Sequence, residues 1–231
     1  MLEAGQVQNR GNPKDVVEDY LARTYEEQQG AHAVNTQVSA VSASKKARLA
    51  ERDMRLDFIN TTRHRNDIEL FAFDPAAMAF GKGGATITSV VLADEAGAPL
   101  SWIVGGALSS LVIRLRANED LDRPIVGFYV KDHLGQCLFG DNTFLSYRNH
   151  PLSLKRGQSC EASFHFRMPI LPAGDYSVCV AVAAGTQAEH VQHHWMHDAL
   201  LVRSHSSSES TGLVGIPMTE IKLMAIEELT T

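Results

Sequence analysis

Four histidines crowd one tryptophan in His190-Val191-Gln192-His193-His194-Trp195-Met196-His197-Asp198, the densest meeting of polar and aromatic side chains in the chain. Read as a strand, this segment sets His193, Trp195 and His197 on one face and His194 and Met196 on the other, because successive side chains alternate. A metal centre needs three or four ligands converging at about 2.0–2.1 Å, whereas same-face neighbours on a strand stand roughly 6–7 Å apart, so any pair here would need ligands from elsewhere. Three readings stay open: hydrogen-bonded structural histidines, a metal site, or contact with a ligand through His193, Trp195 and His197.

A second chemically suggestive stretch is PIVGFYVKDHLGQCLFGDNTF, from Pro124 to Phe144. Val126, Phe128 and Val130 alternate with Gly127, Tyr129 and Lys131, the period of a strand with one buried face. Asp132-His133-Leu134-Gly135 supplies a turn in which glycine tolerates positive φ, so a hairpin is expected. Its outward side then carries an amphipathic ring, Tyr129, and a flexible cation, Lys131. Asn142 ends the second strand and offers both a donor and an acceptor to a hydroxyl-bearing ligand, with an Asx-type turn as the alternative.

A third strand joins these two. In Leu171-Pro172-Ala173-Gly174-Asp175-Tyr176, a glycine two places before a tyrosine has the form of a tyrosine corner at the start of a late sandwich strand. If Tyr176 points inward, so do Val178, Val180 and Val182, and the outward set is Ser177, Cys179, Ala181 and Ala183, all small. Placed between the strands of Tyr129 and Trp195, this row forms the floor of a shallow groove with rings along its sides. Such a shape suits a sugar, whose apolar ring face stacks on aromatics while its hydroxyls meet polar neighbours. The candidate glycan contacts are therefore Tyr129, Lys131, Asn142, Ser177, Cys179, His193, Trp195 and His197. No catalytic residue, resident metal or cofactor is assigned.

Nucleophilic catalysis has little support. No GxSxG elbow occurs, and no Cys or Ser is written beside a His with an orienting third group. Glu119, Asp120 and Asp122 read as a loop between strands rather than an acid/base pair. Arg114, Arg116, His165 and Arg167 alternate outward on two strands that would neighbour each other in the opposite sheet, as a solvated face does. Trp102, between Leu100 and Val104, reads as core.

The elements that must hold these residues follow from pattern. From Ile68 onward, short strands alternate with turn signals every ten residues or so: IELFAFDP, ATITSVVLAD, PLSWIV, LSSLVIRLRA, the hairpin, SCEASFHFRM, DYSVCVAVAA, HVQHHWMHDALLVRS and TGLVGIPMTEIKL. The expectation is an all-β, immunoglobulin-like antiparallel β-sandwich with a short N-terminal helical segment. Residues 1–30 contain that segment: Asn12 caps, Pro13 occupies the first helical position, and Val16, Val17, Tyr20 and Leu21 recur at helical spacing. Residues 31–67, rich in Ala, Ser and charge, read as a locally basic linker, and 68–231 as the sandwich.

The totals bound the function. With 231 residues and 44% hydrophobic content, a packed core is expected. A net charge of −6 gives a polyanion such as nucleic acid no broad reason to bind. No apolar run approaches a membrane span, and MLEAGQVQNR lacks the layout of a signal peptide, so the chain reads as soluble and not exported. Cys137, Cys160 and Cys179, an odd number without CxxC spacing, fit reduced thiols.

RANEDLDRPIVGFYVKDHLGQCLFGDNT, LPAGDYSV and HDALLV, in this order, resemble the C-terminal carbohydrate-binding domain of the Wzt family, the nucleotide-binding subunits of bacterial O-antigen polysaccharide ABC exporters. The resemblance covers about Phe71 to Ile221. Upstream, GNPKDVVEDYL looks like the last strand and helix of an ABC ATPase domain, which would put Met1 inside a longer subunit. The likeness implies a homodimer on the cytoplasmic side of the inner membrane, with partners in the upstream ATPase domain and the transmembrane permease. It implies recognition of a polysaccharide, the O-antigen terminus, by a modification at its non-reducing end, and a C-terminal strand exchanged between protomers. The flexible hinge Ser204–Ser210 is compatible with that exchange. No GxxxxGK[ST] is present, Gly81-Lys82-Gly83-Gly84 being only a short glycine turn, so ATP hydrolysis is not assigned to this chain. The rival reading is a structural dimerisation domain of the exporter's ATPase subunit without glycan recognition.

Overall fold

A computed structural model describes residues 52–186, 189–205, 210 and 212–224, with isolated positions before residue 21. Most of the helix expected from Asn12, most of the linker and the middle of the serine-rich hinge lie outside the described residues. The first two strands, β1 (Leu2–Glu3) and β2 (Gln6–Val7), form a short antiparallel ladder.

The body is an antiparallel β-sandwich. One sheet runs β10 (Cys137–Asn142), β9 (Pro124–Asp132), β13 (Gly174–Gly185), β14 (His190–Ser204), β3 (Asp67–Leu70) and β6 (Trp102–Val104), with β4 (Ala79–Phe80) paired to β14. The facing sheet runs β12 (Ser159–Arg167), β7 (Leu108–Ala117) and β5 (Ala85–Ala93). A small ladder joins β8 (Leu121–Asp122) to β11 (Ser153–Leu154).

Alternation makes the core. Val178, Val180 and Val182 of β13, Val126, Phe128 and Val130 of β9, and Leu111, Ile113 and Leu115 of β7 belong to one buried cluster. Phe128 sits at its aromatic centre, 5.0 Å from Phe164 and 5.8 Å from Phe166 between ring centroids. Burying side chains of this size contributes about 1.5–3 kcal/mol each, which ties the two sheets together. The turn after β9 closes with Gly135 at φ 81° and the Asp132 Oδ1 accepting from the Leu134 and Gln136 amides. The tyrosine corner is present: the Tyr176 hydroxyl donates to Pro172 O at 2.7 Å. Arg114 and Arg116 face solvent on β7, and Arg114 pairs across to Glu161 of β12.

Three expectations are corrected. Trp102 is not core; β6 is a three-residue edge strand whose inward position belongs to Ile103, leaving Trp102 50% exposed and stacked on His205. The apolar segment from residue 212 is not a strand. Among the described residues it forms one β-bridge with the body, Gly215 to Ile170, and further on it is tied through Met218 to Asp53 and Met54, while Pro217 withholds the amide a ladder would need. Lys131 lies on the outer face of β9 as alternation requires, yet it is fully buried, at 0% exposure. Alternation fixes which way a side chain leaves the sheet and does not fix what lies over it.

Residues 53–66 pack onto the body. Leu56 and Ile59 of the helical turn Leu56–Asn60 are buried, and Asn66 bridges Leu171 and Ser204.

Candidate functional site

The groove lies on the outer face of the larger sheet, where β9, β13 and β14 run side by side. In register, Ala181 stands between Gly127 of β9 and Trp195 of β14, and Ala183 between Ile125 and Gln192. Small residues at Gly127, Ala181 and Ala183 leave an open groove of about 250 Å³. Its sides are Tyr129, Trp195 and Phe144, and its polar groups come from Asp141, Asn142, His190 and Gln192.

The aromatic side is a row of three rings. Trp195 stacks between Tyr129, at 5.9 Å, and Phe80 of β4, at 5.8 Å. Trp195 is buried by this packing, and Tyr129 remains 38% exposed. Two glycines permit the close fit. A Cβ on Gly140 would come within 2.8 Å of the Tyr129 ring, and one on Gly127 within 2.9 Å of Asn142 Cβ.

The polar side is preorganised by the backbone. Asn142 Oδ1 accepts from the Phe144 amide at 2.9 Å, so the Asx-type turn forms and the side-chain NH2 remains as the group a ligand could take. Gln192 commits its Nε2 to Val182 O and His194 O, at 3.0 and 3.1 Å, which leaves its carbonyl as an acceptor. Asp141 adds an exposed carboxylate. The set can donate to and accept from hydroxyls beside an aromatic surface, and it contains no nucleophile paired with a base.

Of the eight positions named from the sequence, Tyr129, Asn142 and Trp195 line this groove. Ser177 and Cys179 are on the expected face but buried, at 2% and 0% exposure, and neither lines the groove, so they do not form an open floor. Lys131, opposite Ser177, is buried with them. His193 is turned away by a β-bulge. Val182 pairs with His194 and Ala183 with Gln192, so the inserted His193 leaves the row and its Nδ1 lies 3.3 Å from Glu119 Oε1. Burial lowers the His193 pKa, the Lys82 charge adds to this, and Glu119 opposes it. His197 stays beside Trp195 and Phe80 but lines a separate depression with Asp74, Met78 and Leu201. His194 points between the sheets and accepts the Ile87 amide at 3.0 Å. Among the described residues, no three His, Cys, Asp or Glu side chains are grouped to hold a metal ion.

Sequence reasoning missed Gln192, His190, Asp141 and Gly127 as lining. The glycine within a strand was the available signal, since a missing side chain there often marks a close approach.

Known proteins give the following likenesses. A crystal structure of the C-terminal domain of Wzt superposes with a TM-score of 0.55 at 20% identity, covering 66% of this chain and 92% of that one. A Bifidobacterium adolescentis GH3 beta-glucosidase covers 64% of this chain and 19% of its own, at 15% identity and a TM-score of 0.29, too weak to carry an argument. No curated protein sequence matches the chain. The family model described as the Wzt C-terminal domain matches residues 77–216, more than half of the 231, and the chain belongs to the Wzt C-terminal domain family.

Proposed function

We propose that this chain is the non-catalytic carbohydrate-recognition part of an exporter subunit, binding the modified non-reducing end of an O-antigen polysaccharide. The observation that carries the reading is the open groove in which Tyr129 and Trp195 rise beside a floor of Gly127, Ala181 and Ala183, with Asn142, Asp141 and Gln192 at hand. A pyranose ring presents an apolar face and a rim of hydroxyls, and this arrangement matches both. In the proposal the domain works next to an upstream ABC ATPase domain and a transmembrane permease, as a homodimer at the cytoplasmic face of the inner membrane. No helix among the described residues is long and apolar enough to cross a membrane.

One observation favours a role in assembly as well. Leu213, Ile216, Ile221, Leu223 and Met224 are exposed along the C-terminal segment, an apolar run that a second protomer could cover.

The deciding experiment titrates the protein by calorimetry with isolated O-antigen polymer carrying its terminal modification, and with the same polymer after the modification is removed. Binding to the first and weak or no binding to the second is expected. Equal binding to both would assign recognition to the polymer chain instead of its modified end, and binding to neither would leave dimerisation as the better account.

A further inference from the structure

Next to the glycan groove lies a second cavity of about 300 Å³, built from the start of β9, the end of β13 and the segment that contains the short helix Phe144–Tyr147. The two share Ile125 and Phe144 as lining, so they lie side by side on the same face. Their charges differ. The first carries Asp141; the second is lined by Arg123 and Arg148 and by no carboxylate. Two guanidiniums without an acidic lining residue stand out in a chain of net charge −6.

The backbone holds Arg123 in place. Its amide donates to Leu152 O at 3.1 Å and its carbonyl accepts from the Gly185 amide at 3.2 Å. Between these anchors it adopts φ 52°, a left-handed conformation uncommon for a residue with a side chain and concentrated at functional sites. Among the described residues its guanidinium pairs with Asp122, at 3.8 Å with both groups largely exposed, a weak pair. Tyr147, 54% exposed, gives the cavity a ring, and Thr186 and Asn149 give it neutral polar groups.

We propose that this second cavity is an anion subsite, in which Arg123 and Arg148 bind a phosphate or carboxylate substituent on a saccharide whose neutral ring occupies the first groove. The inference rests on the glycan reading of that groove and specifies its ligand as acidic. Guanidinium forks recognise both anions with paired, charge-assisted hydrogen bonds, and Asp141 repels the anion from the neighbouring compartment. Lys131, the cation that the sequence offered for this task, is buried and lines neither cavity.

The test is an amide-resolved NMR titration of the full chain with glucose, glucose 6-phosphate, glucuronate and inorganic phosphate, repeated on R123Q/R148Q. Glucose 6-phosphate and glucuronate should shift the amides of Arg123, Tyr147, Arg148 and Thr186, and glucose should not. The double variant, with its spectrum otherwise unchanged, should bind the two anionic sugars about tenfold or more weakly, the loss expected for removing charged hydrogen-bond partners. Glucose and its phosphate shifting these amides alike, no shift with any anionic probe, or undiminished binding by the variant would each overturn the subsite. Shifts at Gly127, Tyr129 and Gln192 report the first groove separately. If phosphate moves Arg148 while no sugar moves Tyr129, the anion subsite stands and the glycan reading falls; the converse pattern removes the subsite alone.

Discussion

Tyr129 and Trp195 stack across β13 with ring centroids 5.9 Å apart and planes at 28°, each standing over its own small residue, Cys179 and Ala181 respectively. Phe80 extends the row from β4 at 5.8 Å from Trp195. Cys179 is buried, and the groove is lined by Ala181 and Ala183 alone of this row. The groove is therefore shorter than alternation alone suggests, and it has a rigid aromatic end wall.

Tyr129 is the cleaner probe of that wall, because Trp195 is buried and its truncation would cost about 3–5 kcal/mol in packing. Tyr129→Ala should leave the melting temperature within a few degrees and weaken binding of the end-modified polymer roughly tenfold, the loss of one stacking ring. Calorimetric affinity that is unchanged in a folded Tyr129→Ala protein would place the ligand elsewhere.

The floor is tested by filling it. Ala181 is partly exposed between Gly127 and Trp195, so Ala181→Leu projects its added carbons into the groove rather than into the core. Stability should change by less than about 1.5 kcal/mol, while polymer binding is abolished. A variant that binds as well as the parent would show that the ligand does not enter between these strands.

The corner hydrogen bond is separable from the groove. Tyr176→Phe keeps the ring in the core and removes the donor to Pro172 O. A loss of about 1–2 kcal/mol in urea unfolding is expected, with glycan affinity unaltered.

Two histidines give the fold a pH dependence of definite sign. Burial lowers the pKa of His194, and it lowers that of His193 with the Lys82 charge adding and Glu119 opposing. Both are then neutral when folded, and protonation favours the unfolded chain. Their contribution is full above the unfolded value of about 6.5 and is lost as pH falls through the lower folded values. Stability should decline below about pH 6.5 by up to roughly 1.4 kcal/mol per pH unit for each histidine. His194→Gln, which can still accept the Ile87 amide, should flatten the decline; an equally steep profile in that variant would assign it to other groups.

Much of this was legible in the chain. The span of β14 is that of HVQHHWMHDALLVRS, the Asp132–Gly135 turn follows from its glycine, and Tyr176 announced its corner through Gly174. Strand alternation works because a buried face must be apolar at every second residue. The site was legible only in part, for three physical reasons. The bulge that removes His193 from the Trp195 face is a single extra residue set by pairing with β13, and it leaves no mark in composition. The burial of Lys131, Ser177 and Cys179 depends on what covers the sheet, which periodicity does not encode. Arg123 and Arg148 line one cavity from irregular segments, where no period exists to align them.

Asp53 fastens the C-terminal segment to the body. Its carboxylate accepts from the Arg55 guanidinium at 2.7 and 3.0 Å, from the Arg55 amide at 2.8 Å and from the Met218 amide at 3.0 Å, while the Met54 amide donates to Met218 O at 2.9 Å. Burial alone would raise the pKa of this carboxyl. The Arg55 side chain, the two amides and the Arg55 charge outweigh burial and bring it down to about 2. A depressed carboxylate pKa contributes stability that is full above the unfolded value of about 3.9 and is lost only as pH falls through about 2. The latch is therefore constant where the histidines titrate, so the two effects separate on one pH profile. Asp53→Ala should cost about 1.5–3 kcal/mol, the range for hydrogen bonds to a charged group, without altering the slope below pH 6.5. It should also speed hydrogen exchange at the Met54, Met218 and Ile221 amides, while the amides of β13 and β14 exchange as before. Exchange that accelerates uniformly across the sandwich would mean that Asp53 supports the whole body and does not act as a local clasp.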